Sequence, residues 1–502
     1  MANRSRSLEV LVFAVGAGTL GSEIAAARLL APWFGASTIV WANTIAIVLV
    51  ALSIGYAIGG RFADRDPRPV GLAKIVLVAS ALLAVVPFVS GPFLRQAVKA
   101  VDQLSAATFL GSLVGVGVLL AIPLLMLGMV SPYAVRLSVD SVADAGRTAG
   151  RLSAIATVGS LTGTFASSLL LIPVVGTRRT FLIFAALMAL AALPHLLGRA
   201  RLLALGVPVV ILALMAIPTG TLKQASGGEK VVWEKETEYQ YARVLLDTDG
   251  ERTLELNEGH AVHSIYSPDE WLVGGYWDEM LSLATTPTGG GPGSVAILGN
   301  AAGTTARAIG HYYPDTRIDA VEIDGELTEV GKEQFDLTAP NLRTHTADAR
   351  PWLQATDDTF DVIMVDAYRQ PYIPFYLATE EFFDLVHERL NPGGVVIINV
   401  GHPGDSDALE KVLTATMATA FGQQNTWRNP VSSTSTVLLG TTGAEPKEQL
   451  RRAAASAPSE LATVLEASAG RLSPGLDGGK VYTDDRAPVE WLVDTSLAAE
   501  AE

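Results

Sequence analysis

The chain contains no cysteine. That absence excludes disulfides, thiolate metal sites and a cysteine nucleophile, and leaves the compartment open. Histidine is scarce, 7 residues in 502. His260 and His263 have a spacing that suits a metal, but no carboxylate or thiolate pattern accompanies them, so no metal is expected. Positive charge is in deficit after residue 220, where 20 Lys and Arg stand against 44 Asp and Glu. A surface that acidic repels nucleic acid and suits a small cationic molecule, although it serves equally as a solubilising surface. No short basic region with a small-residue cleavage pattern precedes the first apolar run, which therefore reads as a span and not as a removed signal.

Residues 1–220 have the opposite balance, 16 Lys and Arg against 7 Asp and Glu. A bilayer core needs about 20 apolar residues per helix. Seven stretches meet or approach that length, roughly 8–31, 38–60, 70–90, 108–133, 152–174, 179–197 and 202–218. Small residues four apart, Gly55 with Gly59 and Gly159 with Gly163, favour close helix packing. Glu23 and Arg28 lie inside the first stretch, where they either serve function or pair with each other. Basic residues gather at Arg4 and Arg6, then after the second, fourth and sixth stretches. Positive charge marks the cytoplasmic side. Seven crossings from a cytoplasmic N-terminus would leave the following domain outside.

Residues 221–230 read as a linker and 231–265 as a small β-subdomain. Strands are expected at 231–236, 239–247 and 252–257, the last two joined across Asp249-Gly250 as a hairpin. Residues 266–445 then alternate strand and helix, with strands at 295–298, 318–323, 342–347, 362–365 and 395–400. This predicts a doubly wound, mostly parallel sheet, Rossmann-like in the manner of class I methyltransferases, with its ligand across the carboxyl ends of the strands. Residues 446–502 form a C-terminal helix and tail. The whole is multi-domain: a helical transmembrane bundle, a small β-subdomain and an α/β domain.

Polar groups fall where those strands end. The run V-A-I-L-G-N-A-A-G-T enters Gly299 and Gly303, where a missing side chain lets backbone approach a ligand at a helix N-terminus. Glu322 ends the second strand, where a carboxylate accepts from both ribose hydroxyls of a nucleoside. Asp348 follows the third strand, placed for an adenine amino group, Asp366 ends the fourth, and His402 follows the fifth. Each carboxylate alone also reads as a helix N-cap; their agreement with strand order favours an adenosine-type ligand. His402 reads by default as a loop histidine.

Taken together, these motifs resemble the spermidine synthase family, in its bacterial branch fused to a membrane domain. Y-Q-Y-A-R-V and L-E-L-N-E-G resemble the family's N-terminal β-domain. S-P-D-E-W-L-V-G-G-Y-W-D-E-M resembles the segment beside the amine, through Tyr276, Asp278 and Glu279. G-N-A-A-G-T resembles the cofactor loop, V-E-I-D the ribose acid, T-A-D-A-R the adenine contact and L-A-T-E-E-F-F the helix after the active-site loop. S-E-I-A-A-A-R-L-L-A-P-W-F-G, L-G-M-V-S-P-Y-A-V-R-L, D-A-Y-R-Q-P-Y-I-P-F and T-D-D-R-A-P-V-E-W resemble the fused branch.

The resemblance implies transfer of an aminopropyl group from decarboxylated S-adenosylmethionine to an amine such as putrescine. It further implies no metal, a homo-oligomer, and a multi-pass protein of the cell membrane; that donor is cytosolic, which favours a cytoplasmic soluble domain and conflicts with the charge count over seven crossings. Three departures accompany it. Arg369-Gln370 replace the active-site loop's second acid, Ala301-Ala302 replace the cofactor loop's acid, and Trp277 replaces the His after Tyr276. Adenosine recognition is kept and the amine side rebuilt, with Asp366, Asp278 and Glu279, then Asp485, as base candidates. Asp485 lies in a motif that equally docks the tail on the core. Tyr368, Tyr372 and Tyr376 either wall the acceptor or pack the core. The alternatives are a methyltransferase using intact S-adenosylmethionine on a membrane-delivered acceptor, where Arg369 would face an anion, and a catalytically silent domain that senses a ligand.

Overall fold

The computed structural model describes residues 2–101, 107–139, 141–218, 220–259, 261–368, 372–402, 406–443 and 445–493. The chain divides into two compact units, one of residues 1–224, 234–242 and 257–259, the other of residues 225–233, 243–256 and 260–502.

The first unit is helical: α1 (Ala2–Phe34), α2 (Thr38–Arg65), α3 (Pro69–Val101), α4 (Ala107–Gly128), α5 (Val130–Ser138), α6 (Ala145–Phe165), α7 (Ile172–Val175), α8 (Thr177–Ala192), α9 (Gly198–Ala204) and α10 (Gly206–Leu214). Six helical stretches among the described residues are long and apolar enough to cross a membrane, 6–34, 38–65, 69–100, 110–138, 142–175 and 177–195. The expected seventh is corrected. The run 202–218 lies in α9 and α10, which continue through Leu205 in helical conformation from Gly198 to Leu214, and at about 1.5 Å per residue this stretch of about 25 Å falls short of a core of about 30 Å. Val158, Leu161, Phe165, Leu169 and Val174, between 55% and 71% exposed, line one side of the fifth stretch, a face that water would not tolerate and lipid would.

Small residues bring α1 and α6 together. A Cβ on Gly159 or Gly163 would run into the carbonyls of Phe13 and Ala17, and Ser160 donates to the Gly16 carbonyl at 3.3 Å. The Arg28 guanidinium donates to the Glu238 carbonyl, a partner outside the helix that carries Glu23.

The first sheet is β1 (Lys230–Glu236), β2 (Tyr241–Leu246), β3 (Arg252–Leu256) and β4 (Val262–Tyr266), in that order. β2 and β3 turn where Asp249-Gly250 placed the hairpin, with Gly250 at φ +87°. β4 extends the sheet beyond the three strands expected, paired antiparallel with β3. Its alternation is masked by His263 and Ser264, whose polarity hides a half-buried strand.

The second sheet has eight strands, in the order β12-β10-β11-β9-β8-β5-β6-β7. They are β5 (Ser294–Leu298), β6 (Arg317–Glu322), β7 (Leu342–Thr346), β8 (Phe360–Val365), β9 (Leu390–Gly401), β10 (Thr426–Ser432), β11 (Ser435–Thr441) and β12 (Ser473–Pro474). β5 to β9 pair in parallel and are the five strands expected. β10, β11 and β12 add an antiparallel edge that was not expected. Helices α11 (Gly275–Leu283), α12 (Thr304–Tyr312), α13 (Gly325–Gln334), α14 (Ala349–Ala355), α15 (Glu380–Arg389), α16 (Ala408–Phe421), α17 (Pro446–Ser456) and α18 (Ser459–Arg471) complete the unit. Two cores pack against the sheet, one holding Phe360, Phe382 and Phe383, the other Ile297, Ile309 and Leu465. Side chains alternate across a strand, so neighbouring residues Ala296 and Ile297 of β5 serve opposite cores.

The α1–α6 contact gives a direct test. Gly163→Leu should lower thermal stability of the detergent-solubilised protein by about 1–3 kcal/mol through overpacking. Gly60→Leu, where an added Cβ meets nothing within 4 Å, should stay within about 0.5 kcal/mol of the parent.

Candidate functional site

The strand order brings the site together. β5 lies between β6 and β8, so Glu322 and Asp366, at the carboxyl ends of those two strands, stand on either side of the loop that leaves β5. Gly299 has φ +91°, and a Cβ there would collide with the backbone of Asp366 and Ala367. Gly303 has φ +94°, and its Cβ would enter the Leu337 side chain. Both glycines are therefore required by the protein's own packing, whatever approaches from outside. Ala301 has φ +46°, a left-handed conformation that costs a non-glycine residue about 1–2 kcal/mol. Strain of this kind collects at functional loops. β4 holds the loop from one side, since Ser264 Oγ accepts from Ala302 N–H at 2.9 Å and Thr304 Oγ1 accepts from Ile265 N–H at 2.8 Å.

Glu322 is 7% exposed. One carboxyl oxygen accepts from Ala301 N–H at 2.8 Å and the other from Asp324 N–H at 3.0 Å. Burial nevertheless dominates and pushes the carboxyl up to about 7, against the pull of those N–H groups. Asp366 behaves alike. Its carboxyl accepts from Asn399 Nδ2 at 2.9 Å and from the Tyr276 hydroxyl, and burial, with Glu322 adding to it, pushes it up to about 7. The same surroundings push the Tyr276 hydroxyl well above the usual phenol range, mainly by burial.

The remaining candidates divide. Asp348 caps α14, accepting from Arg350 N–H at 3.2 Å, and its other oxygen accepts from the Tyr376 hydroxyl at 2.8 Å. Asp348 is thus an N-cap whose second oxygen is engaged by Tyr376. The Tyr368 hydroxyl donates to the Asn399 carbonyl at 2.9 Å and accepts from Gly401 N–H at 2.7 Å, clamping the loop after β8 onto the end of β9. Tyr372 is buried in the core beside Ile373 and Leu377. His402 stays a loop histidine, 3.5 Å from Thr436 Oγ1. His260, Arg369 and Gln370 lie outside the described residues.

Asp278 and Glu279 do not join Asp366, and this corrects their assignment as bases. Asp278 accepts from Val273 N–H at 3.1 Å and Gly274 N–H at 2.9 Å, binding the entry to its own helix. Glu279 is 1% exposed and is held by Asn429 of β10 and by Ser468 and Arg471 of α18, the last at 2.5 Å. Burial pushes its carboxyl up despite the Arg471 guanidinium. Asp485 is exposed, while its neighbour Asp484 meets Arg350 at 2.7 and 2.8 Å and Thr379 Oγ1 at 2.8 Å. The motif docks the tail.

Two contributors were not anticipated. Asn399 interrupts the apolar run of β9, and a lone amide in a central strand is a signal that sequence does carry. Asn300 is 6% exposed, with neither end of its amide bonded. An unbonded buried amide costs about 1–3 kcal/mol, so this loop suits a polar ligand that its own backbone does not supply. Among the described residues, no group of three metal-binding side chains occurs.

Residues 276–448 match the spermine/spermidine synthase domain. A probable polyamine aminopropyl transferase of Bifidobacterium longum is 33% identical over 319 residues, covering 58% of this chain and 70% of the relative. It belongs to the spermine/spermidine synthase family, and with it to the transferases. A polyamine aminopropyltransferase of Mycobacterium tuberculosis is 27% identical over 394 residues, 72% of this chain and 71% of that one. This second alignment is longer than the whole chain after Gln224, so it runs into the helical unit. A crystal structure of a probable spermidine synthase from Corynebacterium glutamicum aligns over 50% of this chain and 97% of its own, at 21% identity and a TM-score of 0.37.

The placement of Glu279 is testable apart from chemistry. Arg471→Met should lower stability by about 2–3 kcal/mol, at the low side for a broken buried pair because Arg471 is half exposed and Asn429 and Ser468 remain. Nucleoside affinity, read by calorimetry, should not change.

Proposed function

We propose that the protein moves an aminopropyl group from decarboxylated S-adenosylmethionine to an amine such as putrescine. The observation that carries this reading is the pair of buried carboxyls, Glu322 and Asp366, set on either side of the β5 loop, with Tyr276 on the second. Glu322 keeps acceptor capacity beyond its two backbone bonds, enough for two ribose hydroxyls. Asp348 meets the adenine once Tyr376 gives way. Asp366, poised near 7, takes the proton from the acceptor ammonium, and the freed nitrogen lone pair attacks the carbon next to the sulfonium. The carbon–nitrogen bond forms as the carbon–sulfur bond breaks, and its electron pair stays on sulfur to leave neutral methylthioadenosine. The tyrosine faces and the acidic domain suit a cationic chain.

The membrane reading rests on the six apolar stretches. An even number of crossings returns the chain to the side on which it began, so the charge rule and a cytosolic donor no longer conflict. The catalytic domain then lies in the cytoplasm.

Two experiments test these statements. In titration calorimetry, decarboxylated S-adenosylmethionine and methylthioadenosine should bind more tightly than the intact donor. Glu322→Ala should weaken both by at least tenfold per lost ribose bond. Methylthioadenosine affinity should rise between pH 6 and 8 as Glu322 ionises, because only the carboxylate accepts from both hydroxyls. A preference for intact donor, with release of S-adenosylhomocysteine, would mean methyl transfer, and no binding of either would sink both. For topology, the cysteine-free chain accepts single cysteines directly. Those at Val142 and Glu466 should react with an impermeant maleimide only after cell lysis, and one at Lys99 in intact cells.

A further inference from the structure

β9 lies between β8 and β11, and Val395, Val396, Ile397, Ile398 and Val400 are buried in it. Asn399, 6% exposed, interrupts this hydrocarbon. A buried amide in a central strand is destabilising unless both its ends are bonded. Its Nδ2 donates to Asp366 Oδ1 at 2.9 Å, and its Oδ1 accepts from the Ser435 hydroxyl of β11 at 3.4 Å. Asp366 selects this orientation of the amide, because the reversed form would set its carbonyl oxygen against the carboxylate, whereas the Ser435 hydroxyl could donate or accept. Its backbone is held as well, through the Tyr368 hydroxyl on the Asn399 carbonyl.

We propose that Asn399 is a positioning residue for the transfer reaction: it occupies one oxygen of Asp366, stabilises the ionised form, and turns the other oxygen to the acceptor amine. The consequence for turnover rests on the aminopropyl-transfer reading; the coupling of the two side chains does not. The groups that face Asp366 are Tyr276 from α11, Tyr368 from the loop after β8, and Glu322 from β6. Tyr276 and Asn399 favour the carboxylate by donating to it, and Glu322 opposes it by charge. Removing the amide donor takes away stabilisation of the charged form alone, so the midpoint of Asp366 rises.

The test uses the full-length protein in detergent and needs no turnover. The carboxyl C=O infrared band lost in Asp366→Asn is followed against pH in the parent, Asn399→Leu, the isosteric Asn399→Asp and Ser435→Ala. Leucine should raise the midpoint by about one pH unit, the worth of one hydrogen bond to a charged group. Aspartate should raise it further, because two carboxyls at that distance do not ionise together. Ser435→Ala should give a smaller shift of the same sign. In parallel, methylthioadenosine release from decarboxylated S-adenosylmethionine and putrescine should move its rising limb to higher pH by the same interval. For Asn399→Leu that is about a fivefold loss at pH 7, regained above pH 9. Infrared midpoints unmoved in both Asn399 variants would overturn the proposal. Shifted midpoints with no turnover in the parent would support the coupling and count against aminopropyl transfer.

Discussion

Withdrawal of two carboxyls from water, one on each side of β5, is the constraint on which the rest of the site depends. Glu322 moves from 4.5 to about 7 and Asp366 from 3.8 to about 7, each chiefly through burial. At 1.36 kcal/mol per unit, the ionised forms oppose folding by on the order of 3–4 kcal/mol each once the pH exceeds about 7. Folded values raised above unfolded ones mean that the ligand-free protein is favoured below about pH 4 by these groups and loses that advantage as pH rises to 7. The sheet tolerates the cost because strand order, backbone N–H groups and Asn399 hold both groups in place. A nucleoside whose hydroxyls hydrogen-bond the Glu322 carboxylate recovers part of what burial removed. On the proposed function, binding and acid–base chemistry would draw on the same unfavourable burial.

How much of this was legible varies with the physics behind each feature. The five parallel strands were visible because both their faces are covered, so they read as unbroken runs of Val, Ile and Leu. β10 and β11 were not. Thr426–Ser432 reads T-W-R-N-P-V-S, and its proline and mixed polarity hide an edge pair whose place is set by β9. Glu322 and Asp366 stand out in the sequence because strand ends in such a sheet are where ligands bind. Asp278 and Glu279 were misplaced for a related reason. Adjacent positions on a helix point about 100° apart, so only Tyr276 of that segment turns to Asp366, while Glu279 faces β10 and α18. No local spacing reveals Asn429 or Arg471 as its partners, which come from 150 and 192 residues away.

The cofactor loop shows how departures from a pattern are absorbed. Where the family resemblance leads one to expect an acid, the chain has Ala301-Ala302. Ala302 N–H is bonded by Ser264 of β4, the strand that the sequence concealed. A small side chain at 302 lets β4 approach the loop, and Thr304 completes the contact through Ile265. The loop's geometry is therefore supplied by its neighbouring strand, and the left-handed Ala301 is held by packing and by its bond to Glu322. What the substitution removes is a negative charge from the loop, leaving the unbonded Asn300 as a neutral polar group there.

The number of crossings decides more than topology. With seven, an acidic domain would sit on the outer face, with no access to a cytosolic donor. On the proposed reading, six crossings would set that domain on the same side as the basic residues at 61–68, 136–151 and 199–201. The seventh run fails as a span through length, not composition. α10 is apolar throughout, yet α9 and α10 together, continuous through Leu205, cover only about 25 Å from Gly198 to Leu214. Arg199 and Arg201 at the start of α9 would each cost about 2.5–3.5 kcal/mol at a bilayer centre. On that reading, so short a helical stretch led by two arginines would be most stable at the interface, with its charges in the headgroups and its apolar face against the acyl chains.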